Sequence, residues 1–415
     1  MLSLHKIIFL PLSILLLFYA KNKSNLFFLD SPLVSIIIPV HNNFNYTYNC
    51  ISSILDSEKS ISFEIIISND NSNDETTFLK TKYFKNNKNI FVYDNYKTYN
   101  FLLNCKKAAK RARGKYILFL NNDTKVHKEW LTYLLKLIEN DEKVGMVGSK
   151  LIYPDGLLQE AGGIVWSNGE CLNFGKGSNS DYPEYNYVKE VDYISGIAIV
   201  IKKSLWKKIG GLNEKFTSEN YAKIDLAFKI RKCGYKIIYQ PKSIIEYHSR
   251  MNYRKDDSSL NQKIDNKIFI QQWNNDLENQ LKKGNNFMAR DRCINKSRIF
   301  VIDKYVPSFD KYAGDRCSFM YLNIFKEIGF HVTFLPSDSK KKEPYTTILQ
   351  QNGIEVLYGN RYDNKNLEKW LKENLKYFKY IYLQRPDVSI KYIDLIKKYS
   401  LNNIIYFAHY IISVF

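Results

Sequence analysis

Asn121, Asn122 and Asp123 form a compact set of hard oxygen donors directly behind the apolar run Tyr116–Leu120. A carboxylate flanked by amides suits Mg²⁺ or Mn²⁺, which bind oxygen, keep several waters and are completed by substrate phosphates. Asn and Asp are also ordinary turn formers, so the same three residues read as a strand-to-loop turn as well. The run before them argues for more than a turn. Strand-forming residues buried inside a sheet would deliver all three side chains to its C-terminal edge, where open α/β sheets bind ligands.

The elements needed to position that edge are present upstream. Leu33–Val40 reads as a buried strand leading into the polar loop His41-Asn42-Asn43. Asn45–Asp56 has helical spacing, with Tyr48, Ile51, Ile54 and Leu55 on one face. Phe63–Ser68 is a second buried strand running into the turn-rich stretch Asn69–Asp74, with a helix expected from Glu75. Ile90–Tyr93 is a third strand, and residues 100–113 a basic amphipathic helix. Strands alternating with helices predict an α/β fold with a parallel sheet whose loops converge on one edge.

The chain has 415 residues, 45% of them hydrophobic, enough for two or three packed domains. Its net charge of +19 would suit nucleic acid, an anionic membrane or phosphorylated substrates. The lysines are dispersed, however, with no basic block interleaved with aromatics, which excludes a nucleic-acid partner from the expectation. Cysteines 50, 105, 171, 233, 293 and 317 lie far apart and show no metal spacing, as expected of reduced, buried thiols in a cytoplasmic body. The apolar run 7–20, flanked by Lys6 and Lys21, is shorter than a spanning helix wants and lacks a convincing cleavage site. It is expected to associate with the inner membrane; a signal-peptide core and a buried helix are the alternatives.

Residues 34–248 resemble a family 2 glycosyltransferase of the GT-A fold. The resemblance is carried by VSIIIPVHN at 34–42, EIIISNDNSND at 64–74 and ARGKYILFLNNDT at 112–124. It continues through DGLLQEAGG at 155–163, VDYISGIAIVIKKSLWKKIGG at 191–211 and DLAFKIRKCGYKIIYQPKS at 225–243. It implies a mostly parallel mixed sheet binding a nucleotide-sugar. Pro39, Val40 and His41 would lie against the nucleoside, Asn69 and Asp70 would hold the base, and Asn121 and Asn122 would border the diphosphate. Asn69 stands where such enzymes most often carry Asp. Asp123 would bind the divalent metal, with His248 as a second ligand one residue beyond the usual spacing from Pro241. Asp192, Ser195, Gly196 and Trp206 would line the acceptor pocket, although Trp206 also fits an amphipathic packing position.

Inverting transfer needs a carboxylate to take the acceptor hydroxyl's proton. The resemblance implies an acidic pair where this chain has Ala222 and Lys223. A lysine ammonium cannot accept a proton, so Glu219, one turn back, and Asp225, just ahead, are the catalytic candidates. The competing expectation is an inactive nucleotide- or glycan-binding scaffold or the remnant of a truncated gene.

A polar segment with a predicted helix at 261–282 precedes a new α/β unit. Strands are expected at 299–303, 331–336, 354–359, 380–386 and 403–409, with helices at 316–328 and 366–375. VIDKYVPSFDKYAGDR at 301–316, GFHVTFLP at 329–336 and LQRPDV at 383–388 resemble the N-terminal Rossmann-like half of a family 4, GT-B glycosyltransferase, whose second half is not found before Phe415. The expected layout is a hydrophobic segment at 1–30, the GT-A domain at 31–255, a helical linker at 256–297 and the incomplete half-domain at 298–415.

Overall fold

The computed structural model describes residues 31–248, 259–292, 296–363, 366–400 and 403–407. The apolar run 7–20 lies outside them. Among the described residues no helix is long and apolar enough to cross a membrane.

The first sheet has ten strands. They are β1 (Val34–Val40), β2 (Phe63–Asn69), β3 (Ile90–Asp94), β4 (Tyr116–Leu120), β5 (Thr124–Val126), β6 (Val144–Ile152), β7 (Leu158–Glu160), β10 (Lys189–Glu190), β11 (Ala198–Lys202) and β12 (Lys236–Tyr247). A separate hairpin pairs β8 (Gly163–Val165) with β9 (Cys171–Asn173). The sheet order is β10-β12-β6-β11-β4-β1-β2-β3, with β5 on β12 and β7 on β6. β1 runs parallel to β2 and β4, and β2 to β3, whereas β11 is antiparallel to β4 and β6. The sheet is therefore mixed, with the four expected strands at its parallel end.

β1 is buried along its whole length because both sheet faces are covered. Val34, Ile36, Ile38 and Val40 enter one core with the helices Phe44–Ser57 and Trp130–Asn140, while Ile37 enters the other with the helices Phe101–Arg111 and Glu219–Lys232. The helix expected from Glu75 is instead a 3₁₀ turn, Glu75–Phe78, followed by one π-helical turn, Leu79–Tyr83. Asp74 caps this segment by accepting from the Thr76 N–H at 3.0 Å, and the adjacent β-branched Thr76 and Thr77 are poor helix formers.

The predicted 261–282 helix spans Ser259–Leu277, with non-helical torsions at Trp273. Phe269, Trp273 and Leu277 pack into the core of the first sheet.

The second sheet consists of five parallel strands ordered β15-β14-β13-β16-β17. These are β13 (Arg298–Asp303), β14 (His331–Pro336), β15 (Glu355–Val356), β16 (Tyr380–Gln384) and β17 (Asn403–Phe407). The strand expected at 380–386 stops at Gln384, because Pro386 opens a helix to Tyr399, where a proline at the first position is favoured.

Candidate active site

Parallel pairing brings the C-terminal ends of β1, β2 and β4 to one edge, and backbone bonds join the loops that leave it. Pro39 and Val40 close β1, fully within the sheet, and the Val40 carbonyl accepts the Asp70 N–H at 2.7 Å. His41 Nδ1 donates to the Asp70 carbonyl at 2.8 Å, which puts the ring's acceptor nitrogen at Nε2. Asn42 and Asn43 take left-handed φ of 56° and 63°, and the Asn42 N–H reaches Ser72 Oγ at 2.7 Å. Asn and Asp accept this backbone state more readily than other non-glycine residues.

The second loop is held from beneath. Asp70, 5% exposed, accepts the Tyr99 N–H at 2.8 Å and Asn95 Nδ2 at 3.2 Å. Asn69 donates Nδ2 to Asp94 Oδ1 at 2.7 Å and accepts the Ser72 N–H at 3.2 Å. A carboxylate thus stands beside position 69 although the residue itself is an amide. Asn104, which sequence reasoning did not single out, accepts from Ser68 Oγ at 2.5 Å and Asn95 Nδ2 at 3.0 Å, and donates to the Ser68 carbonyl at 3.1 Å. An amide among Leu102, Cys105 and Ala108 on the buried helix face was its available signal.

At the end of β4 the Asn121 N–H donates to the Ile197 carbonyl at 2.9 Å, Asn122 Nδ2 donates to Thr47 Oγ1 at 3.0 Å, and the Asp123 carbonyl accepts the His248 N–H at 2.9 Å. Asp123 and His248, far apart in sequence, are therefore backbone neighbours, because β5 pairs antiparallel with the end of β12. His248 Nε2 lies 2.9 Å from Glu246 Oε1. Among the described residues no three His, Cys, Asp or Glu side chains gather into a cage. One carboxylate, one imidazole and adjacent amides still fit Mg²⁺ or Mn²⁺, which take few protein ligands when phosphates complete the shell.

The expected acceptor residues fall into two groups. Ser195 and Gly196 form the turn entering β11, beside Asn121. Asp192 lies deeper: it accepts the Val165 N–H at 2.9 Å and Gln280 Nε2 at 3.3 Å, and it pairs with Arg292. Trp206 is 7% exposed, with its ring centroid 4.9 Å from that of Phe119, so it packs in the core.

The helix Glu219–Lys232 starts at Glu219 because Ser218 Oγ caps it, accepting from the Tyr221 N–H. Lys223 Nζ pairs with Glu219 Oε2 at 3.1 Å and lies 4.7 Å from the Phe101 ring centroid. Asp225 is fully buried on the far side of this helix, bound by Gln272 Nε2 at 2.5 Å, Trp273 Nε1 at 3.0 Å and Lys229 at 2.8 Å. It fixes the following helix and does not join the sheet edge. Among the described residues Cys50, Cys105, Cys171, Cys233 and Cys317 are free thiols; Cys50 and Cys105 are buried, whereas Cys317 is exposed, and Cys293 lies outside the described residues.

Residues 35–207 match the family described as "Glycosyl transferase family 2". The O-antigen biosynthesis protein RfbC of Myxococcus xanthus is 24% identical over 54% of this chain and 18% of its own length. Chondroitin synthase of Pasteurella multocida is 28% identical over 49% of this chain and 19% of its own. The match thus spans about a fifth of the length of these curated relatives. The crystal structure of GalNAc-T7 with UDP, GalNAc and Mn²⁺ superposes with a TM-score of 0.49 at 15% identity, covering 60% of this chain and 50% of that one.

Proposed function

We propose that this chain, whose residues 35–207 carry the family 2 glycosyltransferase pattern, transfers a sugar from a nucleotide-sugar to a glycan acceptor during surface-polysaccharide assembly. The observation that supports it is the convergence of Asn121, Asn122 and Asp123, the His248 backbone and the His41 and Asp70 loops on one sheet edge. Pro39, Val40 and His41 would flank the nucleoside, and Asn69 and Asp70 would bound the base. Asp123 and His248 would hold a divalent metal, which when bound supplies neutralising charge at the diphosphate. The acceptor would enter along Ser195 and Gly196, opposite the leaving diphosphate, and the transfer would invert the anomeric centre. Such an enzyme would work in the cytoplasm, with the run 7–20 bringing it to the inner membrane. The five-stranded parallel sheet is read as the N-terminal Rossmann-like half of a GT-B unit.

A second reading, a nucleotide-binding scaffold without turnover, draws support from Lys223 at the position where a proton-accepting carboxylate was expected. Nucleoside-diphosphate release from a panel of UDP-, GDP- and dTDP-sugars with Mn²⁺ separates the two. Release by the wild type that disappears in Asp123→Asn supports the transferase. Calorimetric binding of a nucleotide with no release from any donor leaves the scaffold.

A further inference from the structure

Two buried polar atoms beside this site, Glu160 Oε2 and Ser195 Oγ, make no well-aligned hydrogen bond among the described residues, although the Ser195 hydroxyl lies close enough to act on the Glu160 carboxyl. Glu160, on β7, is fully buried, and its other oxygen accepts the Ser195 N–H at 2.9 Å. Leaving a buried carboxylate oxygen unsatisfied is costly, so Oε2 stands ready to take a proton from the neighbouring Ser195 hydroxyl. The turn that holds it borders the site on two sides. Its Ile197 carbonyl accepts the Asn121 N–H, next to the Asp123 corner. On its other side the Lys223 stem lies along Gly196, so close that a Cβ there would stand 2.6 Å from Lys223 Cδ. Residues 195–197 therefore connect the metal-side edge, the helix position lacking its carboxylate, and Glu160.

We propose that Glu160, reached through the Ser195 hydroxyl, takes the proton of the acceptor hydroxyl during sugar transfer, in place of a carboxylate on the Lys223 helix. The proposal rests on the glycosyltransferase reading. In the step, the acceptor oxygen bonds to the anomeric carbon as its O–H bond breaks. The bond from that carbon to the diphosphate oxygen breaks, and the electron pair leaves with the nucleoside diphosphate. The acceptor's proton passes to Ser195 Oγ while Ser195 gives its own to Glu160 Oε2, so the carboxylate ends as a carboxylic acid. Glu219 is placed less well for this, since its carboxylate is already paired with the ammonium of Lys223.

The electrostatics agree with a proton acceptor working near neutrality. Burial raises the Glu160 carboxyl to about 7, against the opposing pull of the Ser195 N–H and hydroxyl and of the Lys223 charge. Cys171, Tyr193 and Tyr239 also feel its charge.

The test uses the full chain with Mn²⁺, UDP-glucose, UDP-N-acetylglucosamine, UDP-galactose and GDP-mannose, with water as the acceptor, following nucleoside-diphosphate release against pH. Glu160→Gln is expected to lower kcat by on the order of 100-fold, with UDP or GDP affinity unchanged, and to abolish the activity limb near pH 7. Ser195→Ala is expected to lower kcat less and to keep that limb. A Glu160→Gln enzyme within about 3-fold of wild type, or one that retains the limb, overturns the proposal while the transferase reading stands. Loss of activity in Glu219→Gln with Glu160→Gln intact overturns it in favour of Glu219. A wild type that releases nucleotide from no donor overturns both readings.

Discussion

Asp123 and Glu160 are two acidic side chains with opposite demands, and each can be tested alone. Asp123→Asn keeps the shape of the β4–β5 corner and removes one unit of negative charge. Metal-dependent nucleotide binding is expected to weaken by about 10-fold or more, with metal-free binding little changed. Equal affinities with and without Mn²⁺ in both proteins would remove Asp123 from the metal site. Glu160 makes a prediction about stability as well as rate. Its carboxyl is raised from 4.5 to about 7 in the fold, so its contribution is fully present below pH 4.5 and is lost as pH rises through 7. The full loss corresponds to roughly 3 kcal/mol. A glutamine at 160 does not ionise, so Glu160→Gln should be more stable than wild type at pH 8, with the gap closing toward pH 5 in urea unfolding. Lower activity together with higher stability would mark a residue kept for chemistry rather than for packing. A stability difference that does not change between the two pH values would mean that Glu160 ionises as an ordinary surface carboxylate does.

Among the elements, those buried on both faces were legible: β1, β2 and β4 carry apolar runs, broken near their starts only by the mutually bonded Ser35 and Glu64, because helices cover both sides of the sheet. The turn at Glu75–Tyr83 was not, because capping by Asp74 and paired threonines outweighed a spacing compatible with a helix. Site residues on strand ends were readable for the same reason as the strands. Asn104, Asp94 and Glu160 act through partners distant in sequence, and no local pattern announces such a partner. Gly163 is a place of close backbone approach: a Cβ there would sit 2.1 Å from the Tyr193 ring. Tyr193 is buried and bonded through its hydroxyl to Asn173 at 2.8 Å, so it cannot swing aside freely. Gly163→Ala should therefore lower stability by about 1–3 kcal/mol, read as a drop in Tm, while nucleotide affinity at the β1–β4 edge is unchanged. An unchanged Tm would show that the β8 hairpin yields at no cost.

At the scale of the molecule, the two sheets are joined by buried charge. Asp291 accepts the Tyr187 hydroxyl at 2.7 Å, lies 3.0 Å from His331 Nε2 and pairs with Arg298, so this one side chain is tied at once to the first sheet's flank and to β13 and β14. Arg290 pairs with Glu355 of β15 at 2.6 Å, and the Val188 N–H donates to the Gln350 carbonyl at 3.0 Å. His331 and Arg298 hold the Asp291 carboxyl well below the usual range despite its burial. A group lowered in this way stabilises the fold above its unfolded value, and that contribution is lost as pH falls through the folded one. Acid should therefore loosen this junction before neutral pH does. Asp291→Ala removes the buried carboxylate that pairs with Arg298 and His331, at an expected cost of about 3–5 kcal/mol. In urea, tryptophan fluorescence and far-UV circular dichroism should coincide in one transition for the wild type. In Asp291→Ala they should separate as the five-stranded sheet unfolds apart from the ten-stranded one. Coincident transitions in the variant at an unchanged midpoint would show that apolar packing, not the Asp291 cluster, couples the sheets.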